Sequence, residues 1–290
     1  MAQAHIVQAK LEAVNVPSRI VSFVTTGDRI LDKPLADIGG KGLFTKEIEE
    51  SLLRGDIDVA IHSLKDMPTI LPEGLEIGAV LEREDVEDVW LARHPSWKTP
   101  RDLPLHACIG TASLRRQVQL CEAFPKISVK TIRGNLGTRL SKMQAGEVEG
   151  LVLSRVGFQR LNLEHHIHHI FSIKEMLPAV GQGALALEYR CDRRDVLDKI
   201  QRIHHASTHL CITLERFFLK ALEGSCQTPI GGYAYMDQEH IVFQGLLGTL
   251  DPNRVSRIKD SYHPLSSDMT LEAFAYQQAE RLLKQHQSKA

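Results

Sequence analysis

The sequence predicts an α/β protein with mixed, mainly parallel sheets and more than one domain. Four times, an apolar strand runs into a short polar segment that a helix usually follows; these strands are expected at 59–61, 107–109, 127–132 and 151–153. Strands that alternate with helices usually form parallel sheets covered on both faces. The length of 290 residues also exceeds what a single hydrophobic core usually serves.

Domain boundaries are expected where the chain crosses between sheets. A charged run at 82–87 precedes the later strands, and proline and glycine punctuate a return crossing at 178–183. Leu185 and Leu187 then occupy alternate positions, as in a strand that goes back into the first domain. We expect a discontinuous first domain at 1–84 and 182–202, a second domain at 88–178, and a smaller α+β third domain at 205–290.

The start of the chain is expected to contain two helices and a strand around a long loop. Residues 4–13 have the pattern of an amphipathic helix, and residues 20–24 that of a strand. The segment 25–42 is polar and contains several glycines, and a loop of that length in a compact domain is usually functional or mobile. A second helix then ends at Gly55.

Composition argues against several classes of protein. Thirty-five basic and 36 acidic residues nearly cancel, and aromatic residues make up only 6%, so neither a nucleic-acid binder nor a membrane-surface protein is indicated. No apolar run is long enough to span a membrane, and no secretory signal is visible. The five cysteines are widely spaced without a Cys-x-x-Cys pair, which favours a reducing cytoplasm.

Basic and hydroxyl side chains gather after the predicted strands, where ligands bind in open α/β sheets. The planar fork of arginine matches carboxylate or phosphate oxygens, and helix starts favour anions, so the pattern predicts a polyanionic ligand. For a single arginine the alternative is a solvated surface residue, and for the other polar residues it is helix capping. The candidates are Thr111, Ser113, Arg115, Arg116, Arg133, Asn135, Arg139, Arg155 and Arg160.

One acidic residue, Asp66, stands among these bases, shortly after the strand at 59–61 and beside Lys65. An ionised carboxylate there can accept a hydrogen bond from an N–H group or stabilise a cation that forms during a reaction. A salt bridge to a neighbouring residue is the alternative.

A loop around Cys226 follows an apolar, helix-like run at 210–222, which is expected to stop at Gly224. Pro229 and a glycine pair then hold the chain in a turn. A cysteine on such a loop can be open to solvent, although a free cysteine is most often a small buried apolar residue.

Two further clusters are discounted as sites. The histidine-rich run at 164–169 has no Cys or Asp to complete a ligand set and does not follow a predicted strand, so no metal site is predicted. His204, His205 and His209 are interpreted in the same way. The glycine-rich stretch 39–42 lacks the Walker spacing, so nucleotide binding is not predicted.

Several motifs of the sequence resemble those of the porphobilinogen deaminase family, and the match covers nearly the whole chain. They are a mobile active-site segment at 39–44 with Lys41, a catalytic aspartate motif at 62–68 with Asp66, arginine motifs at 110–116 and 133–140, a return segment at 177–184, and a cofactor-attachment loop at 222–231 with Cys226.

The resemblance implies two domains like those of type II periplasmic binding proteins, with a smaller domain that presents a dipyrromethane cofactor thioether-linked to Cys226. The implied enzyme is a transferase, a hydroxymethylbilane synthase, that joins four porphobilinogen molecules head to tail and releases ammonia, in porphyrin and haem synthesis. We expect a monomer without nucleic-acid or membrane partners. The implied residues are Lys65 and Asp66 for catalysis, Lys41 in the mobile segment, Cys226 for attachment, and Ser63, Thr111, Ser113, Arg115, Arg116, Arg133, Arg139, Arg155, Arg160 and Gln182 for binding.

The implied chemistry agrees with the residue types. Each pyrrole unit of such a ligand carries an acetate and a propionate, which an arginine-rich site can neutralise. Loss of ammonia from the substrate would leave an electron-poor methylene-pyrrole cation, which Asp66 could stabilise. The same electrophile can alkylate a thiolate, which explains a cysteine as the anchor.

The sequence departs from the family pattern in two places. Family members begin with a strand and a short Arg- and Ser-bearing loop, whereas residues 3–7 already match the helix that follows. We therefore expect the first strand to be missing, which would expose a sheet edge, and expect this form to be less stable and less active than one extended upstream. Ala112 stands where many relatives have Ser, so one possible hydrogen bond to the cofactor is absent.

Two other functions are weighed against the enzyme. A non-catalytic, two-lobed protein that binds a small carboxylate would usually carry an export signal and would not need Cys226. A nucleic-acid binder that used the stretch 133–139 is disfavoured by the near-neutral charge and the few aromatic residues.

Overall fold

The computed structural model describes residues 1–25, 45–225, 228–251, 254–264, 267 and 269–289. The chain divides into two compact units. The first contains Met1–Glu84 and Gly181–Thr213, and the second contains Asp85–Val180 and Leu214–Ala290.

Helices and strands alternate through much of the described chain. The helices are α1 (Ala2–Ala13), α2 (Lys46–Arg54), α3 (Leu114–Ala123), α4 (Leu136–Gln144), α5 (Arg155–Gln159), α6 (Arg194–Ile200), α7 (Ala206–Ala221) and α8 (Leu271–Gln287). The strands are β1 (Val59–Ser63), β2 (Leu75–Val80), β3 (Asp88–Ala92), β4 (Cys108–Gly110), β5 (Ser128–Lys130), β6 (Gly150–Ser154), β7 (His169–Ile170), β8 (Leu185–Arg190), β9 (Ile230–Asp237), β10 (His240–Gly248) and β11 (Val255–Tyr262).

The sheet of the first unit has the order β1-β8-β2, and β8 is antiparallel to both neighbours. The prediction that Leu185 and Leu187 belong to a strand returning to the first sheet is thus confirmed. Apolar residues of α1 and α6, including Val7 and Ile200, pack with β8 in one buried cluster. Burial of β8 explains its nearly continuous apolar sequence.

The strand predicted at 20–24 is wrong for the described chain. These residues form no regular element, because no strand lies beside them to supply the ladder of hydrogen bonds that defines a strand. Among the strands that the structure describes, β1 is an edge strand. A cavity of about 530 Å³ is lined by residues 16–23, by residues 56–61 and by parts of α1 and α6.

The larger sheet of the second unit has the order β5-β4-β6-β3-β7. β4 is parallel to β5 and to β6, whereas β3 is antiparallel to β6 and β7. Parallel neighbours require a crossover connection. The helices α3 and α4 supply it between β4, β5 and β6, whereas no helix joins β2 to β3.

The predicted mixed α/β architecture is therefore confirmed, but the prediction of mainly parallel pairing is too strong. In the part of the chain described, parallel pairing is confined to β5-β4-β6. β3 and β8, the first strands after the chain passes from one unit to the other, are antiparallel to their described neighbours.

A separate antiparallel sheet, β9-β10-β11, lies in the C-terminal part of the second unit. The helix α8 packs against β10 and β11, and the rings of Phe218 on α7 and Phe243 on β10 meet edge to face at 4.8 Å. Leu246 and Val255 of this sheet pack with Val118 of α3. Residues 205–290, expected to be α+β, contain these three strands together with α7 and α8.

Among the helices of the described residues, none combines the length and apolar character needed to cross a membrane.

Close packing at Gly150 supports a stability prediction. A Cβ on Gly150 would lie 2.0 Å from Trp90 Cη2 and 2.5 Å from the carbonyl oxygen of Leu91, so it would meet both a rigid buried ring and backbone. We expect Gly150→Ala to lower the free energy of unfolding by about 1–3 kcal/mol, as overpacked cores do. Denaturant unfolding of purified protein measures the change.

The matched control is Gly157→Ala in α5, where an added Cβ would have no atom within 4 Å. Because alanine is the better helix former, this variant should equal or exceed the original protein in stability, by up to about 1 kcal/mol. Equal stabilities for the two variants would contradict the packing described for Gly150.

Candidate active site

The turn that carries Lys65 and Asp66 is a single 3-10 turn, Leu64–Asp66, directly after β1. The backbone N–H of Met67 donates to the carbonyl of Leu64 and closes the turn. Leu64 is buried in a cluster with Met67 and residues of β2 and β8, whereas Lys65 is half-buried and Asp66 is exposed. The apolar anchor therefore leaves the Asp66 carboxylate at the surface.

The return segment Gly181–Gly183 packs closely against this turn. Gly181 has φ +72°, and a Cβ there would lie 2.9 Å from Leu64 Cδ2 and 3.1 Å from the backbone nitrogen of Lys65. The N–H of Leu64 donates to the carbonyl of Ala184 at 3.0 Å. Gln182 is fully buried, and its carbonyl accepts from Arg83 Nε at 2.9 Å. The binding role expected for Gln182 stays a prediction.

Two polar contacts hold the end of β1. The Oγ of Ser63 accepts a hydrogen bond from the side-chain amide of Gln3 on α1. His62 is the residue before Ser63 on the same strand. Its Nε2 atom lies 3.0 Å from Glu188 Oε2 of β8, and both side chains are buried. Sequence reasoning missed Glu188; the only signal was an acidic residue inside an otherwise apolar strand.

In the second unit, the polar segments after β4, β5 and β6 share one edge of the sheet. The three strands are adjacent and parallel, so their carboxyl ends lie on the same side. The segment with Thr111 follows β4, the segment with Arg133 follows β5, and Arg155 follows β6. The strands predicted near 107–109, 127–132 and 151–153 are thus confirmed, and the gathering of polar side chains at their carboxyl ends stays a prediction.

Arg115 and Arg116, at the start of α3, are buried around one carboxylate. Arg115 Nη1 lies 2.7 Å from Asp88 Oδ2, and Arg116 Nη2 lies 2.8 Å from Asp88 Oδ1. Arg115 also donates to the carbonyl of Leu177 at 2.6 Å. The Nε atoms of both arginines are buried without a hydrogen-bond partner among the described residues. The cluster therefore holds two cations for one anion.

Asp88 is fully buried, and burial alone would raise its pKa. The Arg115 and Arg116 guanidinium groups outweigh that effect and hold the pKa of Asp88 well below its ordinary value. Sequence reasoning missed this residue, although an aspartate that opens an apolar strand was a signal for a buried carboxylate with a basic partner.

Arg155 lies among three carboxylates. Its Nη1 is 2.9 Å from Asp85 and 3.7 Å from Glu87, and its Nε is 3.8 Å from Glu164. Gln159 donates to the same Asp85 carboxylate at 2.7 Å. The charge of Arg155 is thus matched within the protein, which favours a role in fixing residues 85–87 over a role in binding an anion.

The segment after β5 carries three of the predicted binding residues, Arg133, Asn135 and Arg139. Arg133 Nη1 is buried without a hydrogen-bond partner in the described part of the chain. Arg139 Nε donates to the carbonyl of Gly134 at 2.7 Å, and Asn135 caps α4 by accepting from the N–H of Thr138. Arg160, one helix after β6, is half-buried. Of Arg133, Arg139 and Arg160, it is Arg133 that has a buried N–H donor without a hydrogen-bond partner among the described residues.

Thr111 and Ser113 lie between β4 and α3. Thr111 is fully buried, and its hydroxyl accepts from the N–H of Ser113 at 3.3 Å. Ser113 is the N-cap residue of α3, but its side chain makes no capping hydrogen bond. Capping, the alternative for these hydroxyl residues, therefore does not account for the Ser113 side chain.

Lys41 and Cys226 lie outside the described residues. The other cysteines, Cys108, Cys121, Cys191 and Cys211, form no disulfide. Within the described ranges, no group of three or more His, Cys, Asp or Glu side chains is placed to hold a metal ion.

These features define a class: an α/β protein of two units, one of which has arginine-bearing segments after three adjacent parallel strands of a mixed sheet. The sequence profile described as "Porphobilinogen deaminase, dipyromethane cofactor binding domain" matches residues 1–198, and that described as "Porphobilinogen deaminase, C-terminal domain" matches residues 209–267. The chain belongs to the porphobilinogen deaminase family.

Individual relatives agree with this assignment. The porphobilinogen deaminase of Desulfitobacterium hafniense is 46% identical over 260 residues, which cover 88% of this chain and 83% of that protein. The chloroplastic porphobilinogen deaminase of Pisum sativum is 44% identical over 263 residues, with coverages of 88% and 71%. Among solved structures, the periplasmic VFT2 domain of Bordetella pertussis BvgS is similar with a TM-score of 0.41 at 13% identity, covering 70% of this chain and 76% of that chain.

The Asp88 cluster leads to a prediction on stability and pH. Asp88→Asn removes the one anion between two buried guanidinium groups, and breaking a buried pair from one side costs about 3–5 kcal/mol of unfolding free energy. Because folding lowers the pKa of Asp88, its contribution is present above the unfolded pKa of about 3.9 and is lost as the pH falls further. Unfolding at neutral and acid pH measures both effects.

Asp85→Asn is the control, since it weakens the partly exposed pair with Arg155 and should cost about 1 kcal/mol or less. A loss for Asp88→Asn as small as that control, or one that does not shrink at acid pH, would show that the two arginines do not depend on this carboxylate.

Proposed function

We propose that this chain condenses four porphobilinogen molecules head to tail into hydroxymethylbilane, with release of ammonia, as a transferase of porphyrin and haem synthesis. Its membership in the porphobilinogen deaminase family supports this reaction. The structural observation that carries it is the excess of buried guanidinium groups over carboxylates around Asp88, at the edge where Arg133 also lies. A non-catalytic carboxylate-binding protein is not favoured.

The residues present fit a dipyrromethane, the cofactor named in the matched domain description. A ligand with several carboxylates needs guanidinium donors, and Arg133 Nη1 is a buried donor without a partner among the described residues. Arg115, Arg116, Arg133, Arg139 and Arg160 would hold the carboxylates, with Thr111 and Ser113 as hydroxyl donors. When bound, the dipyrromethane supplies the pyrrole carbon to which the first substrate unit is joined.

Asp66 has the place and exposure for a catalytic carboxylate. It lies on a turn whose buried Leu64 packs in an apolar cluster and against which Gly181 packs closely. Packing therefore sets the position of the turn, while the Asp66 side chain is exposed. There it would accept hydrogen bonds from pyrrole N–H groups and stabilise the cation that forms when ammonia leaves the substrate. Lys65 and Ser63, on the same turn and strand end, would orient the substrate.

Cys226 is proposed as the attachment residue, and Lys41 as part of a mobile segment, from their motifs in the sequence. A cytoplasmic monomer is the proposed state, and the four described cysteines that form no disulfide support a reducing compartment. These proposals follow the family resemblance and are open to direct test.

Intact-mass and turnover measurements on four proteins test the function. The unmodified sequence should weigh more than its chain by one dipyrromethane, and Cys226→Ser should have the mass of the chain alone. Asp66→Asn should keep the added mass but form product at least about 10²-fold more slowly, because it lacks the charge that stabilises the developing cation.

Cys191→Ser is the control for cysteine substitution and should keep both mass and turnover. Full turnover by a protein that has the bare chain mass would refute the cofactor proposal. Undiminished turnover by Asp66→Asn would refute the role of that carboxylate while leaving the cofactor proposal intact.

A further inference from the structure

The residues just before α7 cover the outer edge of β2. Among the described strands, β2 has β8 as its one neighbour, and residues 201–205 bind the backbone on its other side. The Gln201 side-chain amide donates to the carbonyl of Gly78, and the N–H of His205 donates to the carbonyl of Val80 at 2.8 Å. The N–H of Val80 donates to His204 Nδ1 at 3.1 Å. A histidine ring therefore takes the place of a strand neighbour at the end of β2.

His205 uses its ring in the same way at the start of α7. Its Nδ1 accepts from the N–H of Thr208 at 3.3 Å and lies 2.7 Å from the Thr208 hydroxyl oxygen. That hydroxyl accepts from the N–H of Arg83 at 3.2 Å, which leaves its own proton for His205 Nδ1. The two rings thus join residues 80–83, the end of the first unit's N-terminal part, to the first turn of α7.

These hydrogen bonds require neutral imidazoles. A ring nitrogen accepts a hydrogen bond only through its lone pair, and both nitrogens of an imidazolium are donors. Protonation of His204 at Nδ1 would therefore set that N–H against the N–H of Val80. For His205, a positive charge would also lie at the N-terminus of α7, where the helix dipole disfavours cations.

A third histidine, His209 on α7, packs its ring against that of His204, with the ring centroids 5.0 Å apart. Its Nδ1 is buried without a hydrogen-bond partner among the described residues. A charge on one of these rings would be poorly solvated and would disfavour a charge on the other. Burial lowers the pKa of His209, and burial followed by the charges of His209 and His205 lowers the pKa of His204.

Other ionisable side chains lie on the adjoining elements. Along α7, Cys211 and Glu215 follow and are buried, and Glu215 accepts from the N–H of Ala234 at 2.8 Å. Arg83 donates through Nε to the carbonyl of Gln182 at 2.9 Å. The charges that act on His204 are those of two other histidines, so protonation of one opposes protonation of the next. The remaining charged residues are exposed or half-buried: Glu76 on β2, Glu82 and Glu84 after it, and Lys199 and Arg202 before His204.

We propose that His204 and His205, with His209 packed against them, form an acid-sensitive switch. With neutral rings, the switch holds residues 80–83 to the start of α7. Below about pH 6, protonation breaks the bonds to the N–H groups of Val80 and Thr208 and releases the two segments from each other. The switch does not depend on the proposed function, and its test needs no assay of activity.

Denaturant unfolding of His204→Asn tests the switch. The asparagine Oδ1 lies close to the position of Nδ1 and can accept from the N–H of Val80, but the side chain does not titrate. Folding lowers the pKa of His204, so the unfolded chain takes up the proton first, and stability is lost as the pH falls below about 6.5. From about pH 7.5 to about pH 5.5, the folding equilibrium constant should fall about three- to tenfold more for the original protein than for His204→Asn.

Two further variants are the controls. His5→Asn replaces an exposed histidine on α1 and should leave the acid loss as large as in the original protein. His204→Leu removes the acceptor and should be about tenfold less stable than His204→Asn already at about pH 7.5, because it leaves the N–H of Val80 without an acceptor. An acid loss in His204→Asn equal to that of the original protein, or equal stabilities of His204→Asn and His204→Leu, would overturn the switch.

Hydrogen exchange of the original protein decides the matter if His204→Asn does not fold. After correction for the intrinsic effect of pH on exchange, protection of the Val80 amide should fall about threefold or more between about pH 7.5 and about pH 5.5. Protection of the Phe243 amide in β10 should stay the same over that range. Unchanged protection at Val80 would contradict the proposal.

Discussion

The carboxylate of Asp88, held between the guanidinium groups of Arg115 and Arg116, is the interaction on which the second unit depends most. It joins the first residue of β3 to the first turn of α3, and Arg115 extends the connection to the carbonyl of Leu177 on the return segment. Removal of one partner from a buried ion pair is strongly destabilising, because it leaves an uncompensated charge in the protein interior. Here, among the described side chains, the two guanidinium groups share the single carboxylate of Asp88.

The arginines of the second unit differ in whether their charges are matched by carboxylates within the protein. An arginine whose charge is matched inside the protein, as that of Arg155 is by Asp85, Glu87 and Glu164, has little left for a ligand. By contrast, Arg115 Nε, Arg116 Nε and Arg133 Nη1 are buried without a hydrogen-bond partner among the described residues. Such donors are what the proposed dipyrromethane, with its several carboxylates, would need. The arginines of the sequence therefore differ in how many of their N–H donors are already used within the protein.

Much of this could be predicted from sequence because it depends on local patterns. Apolar strands followed by polar segments fixed the positions of β4, β5 and β6 and hence the shared edge with Thr111 and Arg133. The strand expected at 20–24 failed because a strand needs a neighbour, which periodicity does not supply. The shared partner of Arg115 and Arg116 was missed for a related reason. Asp88 is distant from them in sequence, and local spacing does not predict a buried ion pair between distant residues. The same holds for His62 and Glu188, which meet only because β1 and β8 are adjacent.

The central claim is that guanidinium groups in the second unit hold the carboxylates of pyrrole ligands. Calorimetric binding of porphobilinogen to Asp66→Asn holoprotein, in which turnover is suppressed, tests it most directly when compared with the methyl-ester form of the same pyrrole. The account predicts that the acid binds, that its affinity weakens as ionic strength rises, and that both the ester and the Arg133→Gln variant lose most of the binding. Equal binding of acid and ester, insensitive to salt, would contradict it.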